Sequence, residues 1–231
     1  MRIDVVTIFP EIIDAYMNAS IMKRAQAKGV VSIYAHNLRD YTTDKHRKVD
    51  DRPYGGGPGM VMKAEPIIRA VEKTLKRSKK REARIKGKPN SKFMLPASTK
   101  ILIMSPRGKE FTNAMAKSFA KKYNHFVLIA GHYEGIDARV KKILKAEEIS
   151  TGPYVLTGGE LPALTIIDAV ARQIKGVLGK GESLEETRTA SGETYTRPEV
   201  FVHTKKKHAV PAVLLSGNHA DVEAWRKKRS K

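Results

Sequence analysis

The stretch STGPYVLTGGELPALTIID, residues 150–168, joins a glycine-rich turn to the start of an apolar helix. Gly152, Gly158 and Gly159 permit backbone angles that a Cβ would forbid, and they let the backbone approach a ligand closely. Pro162 suits the first turn of a helix, and the residues after it continue an apolar face. Such a loop can hold a flat, neutral, hydrogen-bonding ligand such as an adenine. The alternative is a tight structural turn between a strand and a helix.

Outward from this stretch, β-branched runs alternate with segments of helical periodicity, which predicts an α/β fold with a parallel sheet. Strands are predicted over 2–8, 30–35, 100–104 and 125–130. Helices are predicted over 10–27, 64–76, 111–122, 136–145 and 161–175, with a last one from about Ala220 after an Asn218 N-cap.

Two of the predicted strands end in glycine-bearing turns, SPRG (105–108) and GHYEG (131–135). Ligands of open α/β sheets bind at the carboxyl ends of the strands. We therefore expect these two turns and residues 150–168 to converge on one pocket. No G-x-G-x-x-G pattern supports an ordinary Rossmann site. His132 taken alone is equally consistent with a surface histidine, and no spacing of His and carboxylates predicts a metal cage.

The charge of the chain predicts a polyanionic partner. Lys and Arg number 44 against 24 Asp and Glu, a formal net charge of +20 over 231 residues. A nucleic acid is the simplest partner for such an excess, with salt-sensitive binding. There is no cysteine, and no apolar run reaches the length of a signal peptide or a membrane span. These features favour a cytoplasmic protein without a membrane partner.

Residues 37–62 form a polar, glycine-rich stretch that is too long for an ordinary connection, which favours a functional loop over a solvated one. Its glycines lack the Lys-Ser/Thr pair of a P-loop. The basic segment 76–92 is expected to be mobile. We expect a main α/β domain over 1–175, a flexible linker over 176–194 and a short segment over 195–231 containing the basic patch 205–208.

Six motifs together resemble one family. They are DDRPYGGGPGM, SPRG, GHYEGID, STGPYVLTGGELPA, YTRPEV and LLSGNHA, and they follow in order along nearly the whole chain. In these motifs the chain is similar to the bacterial tRNA (guanine-N1)-methyltransferases. The resemblance implies that 1–175 is a SPOUT-type α/β catalytic domain with a deep trefoil knot at its C-terminal end. It implies that 195–231 is a small, mostly helical segment that binds tRNA. It also implies an obligate homodimer, S-adenosylmethionine as methyl donor, and tRNA rather than DNA as partner. The implied reaction is methylation of N1 of guanosine 37, just 3′ of the anticodon.

The resemblance also implies the site residues. Arg172 would stabilise charge on the guanine, and Glu182 would act as the general base, with Asp168 as a rival. The donor pocket would be formed by Met104, Ser105, Pro106, Gly131, Tyr133, Glu134, Thr151, Gly152, Tyr154, Leu156, Gly158, Gly159 and Pro162. The substrate would be contacted by His46, Asp50, Arg52, Tyr54, Pro58 and Gly59. A magnesium ion is suggested by the family, although no ligands for it stand out.

Some residues depart from the pattern of the family. Glu182 stands where an Asp is usual, His132 where an Arg is more common, and Pro153 where an acid is usual. Because the donor is a cation, we expect the lysines of the chain to lie outside the pocket. Two other functions stay open: a noncatalytic RNA-binding protein on a knotted scaffold, and a knotted methyltransferase for another RNA site.

Overall fold

The computed structural model describes residues 1–86, 99–178 and 193–229, and the side chains of 78–86 are not described. The chain divides into two compact units, Met1–Leu178 and Gly179–Lys231. Three predictions fall wholly or partly outside the described residues: the base Glu182, most of the linker 176–194, and the second half of the basic segment 76–92.

The first unit alternates strands and helices. Its strands are β1 (Arg2–Thr7), β2 (Ser32–Asn37), β3 (Asp50–Asp51), β4 (Val61–Met62), β5 (Thr99–Glu110), β6 (His125–Ile129) and β7 (Glu147–Ser150). Its helices are α1 (Pro10–Met17), α2 (Ser20–Ala27), α3 (Ala64–Lys86), α4 (Asn113–Lys122), α5 (Arg139–Leu144) and α6 (Glu160–Ala171), with a 3-10 turn over Leu38–Tyr41.

Five strands form a central parallel sheet in the order β2-β1-β6-β5-β7. The alternation of elements predicted a parallel sheet, but not its strand order. Its strands carry apolar residues on both faces. One face contributes Val5, Leu102 and Leu128 to a core shared with α1, α2, α4 and α6. The other contributes Ile103 and Ile129 to a core shared with α3 and α5. Burial of both faces is usual for a parallel sheet and leaves its carboxyl edge for a ligand site.

Four of the predicted helices are wrong in extent. The helix expected over 136–145 begins only at Arg139, and the helix expected over 161–175 ends at Ala171. The helix expected over 10–27 is broken after Met17, because Asn18 caps α1 and Ala19 is extended. Asn and Ser favour caps over helix interiors. The helix expected to end at Lys76 continues to Lys86, because its Lys, Arg, Ala and Glu residues are strong helix formers. The first half of segment 76–92 is therefore helical, against the expectation of a mobile segment.

The carboxyl edge of the sheet contains an irregular strand and an unpredicted one. The pairing of β5 with β7 is regular up to Met104, breaks over the SPRG residues, and resumes at Lys109. A Cβ built on Gly108 would lie 2.3 Å from the backbone nitrogen of Ile149, so only glycine fits at this approach. Strand β7 was not predicted, because its sequence EEIS lacks an apolar run.

The second unit contains a hairpin that was not predicted, beside the helices. Strands β8 (Val200–His203) and β9 (Lys206–Ala209) pair antiparallel, and two helices follow, α7 (Ala212–Leu215) and α8 (His219–Arg229). The basic patch 205–208 thus lies in the turn and second strand of the hairpin. None of the described residues of this unit is buried. In the parts of the chain that the structure describes, no helix combines the length and apolarity needed to cross a membrane.

Candidate active site

A cavity of about 940 Å³ opens at the carboxyl ends of β5, β6 and β7. It is formed by the three loops that the sequence predicts to converge. All of the predicted donor residues except Gly152 line it, namely Met104, Ser105, Pro106, Gly131, Tyr133, Glu134, Thr151, Tyr154, Leu156, Gly158, Gly159 and Pro162. Its size suits a small organic ligand.

Glycines bring two of these loops into backbone contact. The Gly159 N–H donates to the Gly131 carbonyl oxygen at 2.8 Å. A Cβ on Gly159 would lie 2.7 Å from the Cα of Ala130, and a Cβ on Gly158 would lie 2.2 Å from Cε1 of His132. Neither position leaves room for a larger residue. The glycines of residues 150–168 are thus required by close approach, and the same approach forms one wall of the cavity.

Gly152 does not line the cavity, but it has a clear structural role. The Ser150 hydroxyl donates to the Gly152 carbonyl at 2.8 Å and accepts from the Gly152 N–H at 3.2 Å. A Cβ on Gly152 would lie 2.3 Å from the ring of Tyr154. The Tyr154 hydroxyl donates to the Thr151 carbonyl at 3.1 Å. Gly152 therefore permits Tyr154 to fold across its own loop beside the cavity.

The 131–135 loop presents an aromatic ring from an unusual backbone. Tyr133 has a φ of +60°, a region that residues other than glycine rarely adopt, and its side chain is 48% exposed. Its neighbour Glu134 also faces solvent at the cavity. Strain of this kind is typical of binding loops. The ring is accessible for stacking against a flat ligand.

The predicted substrate loop is attached to this donor loop through its backbone. The Glu134 N–H donates to the Met60 carbonyl at 3.0 Å, and the Met62 N–H donates to the Gly135 carbonyl at 2.9 Å. A Cβ on Gly59 would lie 2.6 Å from Cγ of Glu134. The glycine-rich stretch after β3 is therefore seated directly beside the cavity.

The other predicted substrate residues are more scattered in this chain. Asp50 pairs with Met62 in the β3–β4 ribbon, and Arg52, Tyr54 and Pro58 are exposed after it. Tyr54 is fully accessible. His46 lines a second cavity of about 360 Å³ together with Thr42, Thr43, Asp44, Lys48, Lys63, Glu65, Pro66 and Arg69. None of the six predicted residues lines the first cavity, but Gly59 packs against its lining residue Glu134.

The expectation that lysines lie outside the pocket is wrong. Lys141, Lys142, Lys145 and Arg107 all line the cavity. Lys141 is neutralised by Glu148 at 2.6 Å. Across the described ranges, the side chains of the other three cations pair with no acid. The reason is the composition of α5, which follows the GHYEG loop and ends at the cavity in lysines. One side of the cavity is neutral and glycine-rich, and the other is cationic.

A buried carboxylate behind the cavity wall escaped the sequence interpretation. Glu160, in the first turn of α6, is 3% exposed and accepts hydrogen bonds from the Thr7 hydroxyl and from Nε2 of His132. His132 is thus an internal contact and not a surface histidine. One feature of the sequence could have indicated Glu160: it is an acid directly after Gly158-Gly159, at the start of an apolar helix. A carboxylate buried there needs hydrogen-bond partners.

Arg172 and Asp168 lie away from the cavity in this chain. Arg172 caps the carboxyl end of α6, whereas the amino end of that helix borders the cavity. At 1.5 Å per residue, roughly 15 Å separates Pro162 from Arg172 along the helix. Asp168 lies near Tyr16 of α1, where burial and then the charge and hydrogen bond of Asp168 raise the pKa of the Tyr16 hydroxyl.

Within the described part of the chain, no group of three or more His, Asp or Glu side chains could hold a metal ion. The magnesium ion suggested by the resemblance therefore has no site among these residues.

Comparison with known proteins agrees with this geometry. The profile of the tRNA (Guanine-1)-methyltransferase TrmD family matches residues 1–231. The chain belongs to this family. A tRNA (guanine-N(1)-)-methyltransferase of Carboxydothermus hydrogenoformans is 45% identical, with all of this chain and 83% of the relative aligned. Enzymes of the same name from Dictyoglomus turgidum and Thermomicrobium roseum are 47% and 48% identical, covering 100% and 98% of this chain and 85% and 78% of the relatives.

The match to the TrmD family spans both units and every predicted site residue, including those outside the described ranges. Three of the six motifs that carry the resemblance, SPRG, GHYEGID and STGPYVLTGGELPA, contribute residues to the cavity at the carboxyl edge of the sheet.

Proposed function

We propose that this chain transfers a methyl group from S-adenosylmethionine to N1 of guanosine 37 in tRNA. The observation that carries the proposal is the cavity at which the three glycine-bearing loops of the TrmD-family motifs meet. The net charge of +20 supports a tRNA substrate, because cationic surfaces attract the phosphate backbone.

The neutral side of the cavity fits the donor. Adenine needs a flat slot with backbone hydrogen-bonding groups, and the glycines at 131, 158 and 159 let two loops pack closely into a neutral wall of the cavity with such groups. Tyr133 and Tyr154 provide accessible rings beside that slot. When bound, S-adenosylmethionine supplies an electrophilic methyl group on a sulfonium. The residues of the chain hold it and keep water away from it.

The cationic side of the cavity fits the RNA. Arg107, Lys142 and Lys145 would repel a cationic donor at close range but attract phosphates near the target nucleotide. Lys145 adopts a φ of +50° at the end of α5, where glycine is usual. This strained backbone is consistent with a binding role for the lysine.

The chemistry requires a base and an electrostatic partner. Guanine N1 carries a proton and becomes a good nucleophile when a carboxylate removes it. N1 then bonds to the methyl carbon as the carbon–sulfur bond breaks, and negative charge moves toward O6. A guanidinium can stabilise this charge with paired N–H donors. We assign the base to Glu182 and the guanidinium to Arg172.

We infer a homodimer with shared sites, because Arg172 and the donor cavity lie at opposite ends of α6 in one chain. A second copy can bring its arginine to the cavity. Phe9, Ile12 and Tyr16 on α1, with Leu161 at the start of α6, are exposed apolar side chains on neighbouring helices. Such a surface suits a protein partner. We also infer that the loops form the trefoil knot of the family, which the backbone approaches at Gly108 and Gly159 support.

One experiment tests the reaction. Labelled S-adenosylmethionine is incubated with the protein and with tRNA transcripts that carry G or A at position 37. We expect transfer to the G transcript only. Equal labelling of the A transcript would indicate another RNA site, and tRNA binding without any transfer would indicate a noncatalytic RNA-binding protein.

A second experiment tests the roles of the residues. Glu182→Ala should lower turnover at saturating donor by about 10²–10⁴-fold, the usual contribution of a general base. Asp168→Ala should keep most of the turnover, since Asp168 contacts Tyr16 and does not line the cavity. The reverse result would move the base to Asp168.

Shared sites predict complementation. Arg172→Ala and Gly159→Val protomers should each be inactive alone. A mixed dimer should recover activity, because one of its sites combines an intact arginine with an intact donor loop. No recovery in dimers that demonstrably contain both variants would place the whole site within one chain.

A further inference from the structure

Three segments of the first unit meet at the Glu160 carboxylate. One oxygen accepts from the hydroxyl of Thr7, the last residue of β1, and the other accepts from Nε2 of His132 at 2.6 Å. The Thr7 hydroxyl in turn accepts from the Phe9 N–H at 2.9 Å. The network thus connects the end of β1, the GHYEG loop and the start of α6.

The burial of Glu160 is costly, which makes its two partners important. A carboxylate that leaves water must recover its solvation through hydrogen bonds or paired charge. Its place in the first turn of α6 adds a favourable interaction with the helix dipole. Loss of either donor would leave a buried oxygen unsatisfied, so we expect the network to hold both loops in one arrangement.

The network lies directly under the donor loops. Gly158 has no room for a Cβ because His132 Nε2 would be 2.4 Å away and Glu160 Oε2 2.6 Å away. The His132 backbone N–H points to the sulfur of Met62 at 3.1 Å, and its ring meets the edge of Phe9 at 5.0 Å between centroids. His132 is also a lining residue of the cavity. A shift of this ring would therefore move the 131–135 loop and Gly158, which both line the cavity.

We propose that Glu160 is a positioning residue that fixes the 131–135 and 150–159 loops to β1 through His132 and Thr7, and so sets the affinity for the methyl donor. This inference rests on the proposed function, since it takes S-adenosylmethionine as the ligand of the cavity. Glu160 touches neither donor nor guanine in this role. It acts by holding the loops that do.

The exchange at position 132 is consistent with such a role. An arginine, the more common residue in the resemblance, also offers N–H donors to a carboxylate and could occupy the same place against Glu160. Both residues can satisfy the buried oxygen, whereas an apolar residue cannot. Position 132 therefore requires a hydrogen-bond donor that reaches Glu160. The charge of that residue matters less for this role.

The test compares a broken and a restored contact. Donor affinity is measured by calorimetry with S-adenosylmethionine on the full chain, and kcat and KM are measured with the G37 transcript. His132→Leu and Thr7→Val should each weaken donor binding about tenfold or more, as expected for a lost hydrogen bond to a buried charge. The kcat at saturating donor should change less than threefold. His132→Arg should recover most of the affinity that His132→Leu loses.

Asp4→Asn is the matched control. Asp4 is also a buried carboxylate, but it lies on β1 and does not line the cavity. It should destabilise the fold without changing the donor affinity of the folded protein. If Asp4→Asn weakened donor binding equally, the effect would be general destabilisation and the proposal would be overturned. The proposal would also be overturned if His132→Arg bound the methyl donor no better than His132→Leu. A wild-type protein that binds no donor would instead overturn the proposed function itself.

Discussion

Two carboxylates are buried beside β1, and they differ in what surrounds them. Asp4, in the middle of the strand, accepts from Arg2 at 2.6 and 2.8 Å and from Nε2 of His36 and His125, each at 2.7 Å. Its partners lie on β1 and on both neighbouring strands. Glu160 has two donors, and one of them belongs to a loop at the cavity. The same chemistry therefore secures the sheet in one place and the ligand loops in the other.

The difference concerns redundancy. Asp4 is satisfied by three residues, two of which are supported in turn by the Tyr41 hydroxyl at 3.3 Å and the Thr99 hydroxyl at 3.4 Å. Glu160 has no third side-chain donor among the residues that the structure describes. We expect changes around Asp4 to appear in stability alone, and changes around Glu160 to appear in ligand binding first.

The largest expected effect comes from Asp4→Asn. The amide leaves Arg2 without its carboxylate in the sheet, and breaking a buried pair of this kind costs about 3–5 kcal/mol. Urea unfolding should show this loss in the free energy of unfolding. The comparison with Glu160 would break down if Asp4→Asn left the unfolding midpoint where it is in the wild type.

A second effect is the pH dependence of that stability. Burial of Asp4 opposes its ionisation, but hydrogen bonds from His125, His36 and Arg2 outweigh burial and hold its pKa well below the ordinary 3.8. A carboxyl with a depressed pKa in the folded state stabilises fully above its unfolded pKa, and this stabilisation is lost as the pH falls.

Wild-type unfolding free energy should therefore fall between about pH 5 and pH 3, by about 1 kcal/mol more than in Asp4→Asn, and should fall further below pH 3. The difference between the two proteins isolates Asp4 from the exposed acids. Parallel stability curves for the two would show that another group is responsible for the slope.

Gly158→Ala should affect the Glu160 network and not the Asp4 network. Its Cβ would enter the His132–Glu160 contact, so the loop must shift and donor affinity should fall about tenfold or more, a free-energy change of about 1.4 kcal/mol. Gly29→Ala is the matched control: its φ of +68° makes alanine strained, but it has open space and lies far along the chain from the cavity loops.

Calorimetry and thermal unfolding on both glycine variants separate the two causes. Gly29→Ala should lower stability by about 1–2 kcal/mol and leave donor affinity alone. An affinity loss in Gly29→Ala as large as in Gly158→Ala would mean that the close approach at 158 is unimportant.

The sequence predicted the sheet and the cavity because both depend on local patterns. Apolar runs mark β1, β2, β5 and β6, and glycines mark the loops after the strands. The Asp4 and Glu160 networks could not be predicted in this way. Their partners lie 32 and 121 residues from Asp4, and 153 and 28 residues from Glu160. Such pairings depend on strand order and on the return of α6 to β1, and neither is encoded in a local pattern.

Other errors have equally specific causes. Strand β7 has two glutamates in four residues, and the β8–β9 hairpin turns at Thr204 and Lys205 with φ of +47° and +64°. The usual Asn-Gly signal of such a turn is missing. The lysines of the cavity were placed wrongly because the expectation considered only their repulsion of a cationic donor, and the sequence does not tell which residues of α5 face the cavity. The role of Glu182 stays a prediction, since it lies outside the described residues.

The smallest effect provides a check on hydroxyl groups. Thr7 and Thr74 are both fully buried, but the Thr74 hydroxyl on α3 has no hydrogen-bond partner among the described residues, whereas the Thr7 hydroxyl donates to Glu160. Replacing Thr74 by Val removes an unsatisfied polar group while keeping the shape of the side chain. It should leave the free energy of unfolding unchanged or raise it by up to about 1 kcal/mol.

Thr7→Val should instead lower stability by about 1–3 kcal/mol, because it leaves a carboxylate oxygen unsatisfied. Urea unfolding of the two variants side by side measures the difference directly. The steric change is the same in both, so the gap reports the two hydrogen bonds of the Thr7 hydroxyl, to Glu160 and from the Phe9 N–H. A Thr7→Val protein as stable as Thr74→Val would show that the buried carboxylate does not need β1, and the link from strand to donor loops would then rest on His132 alone.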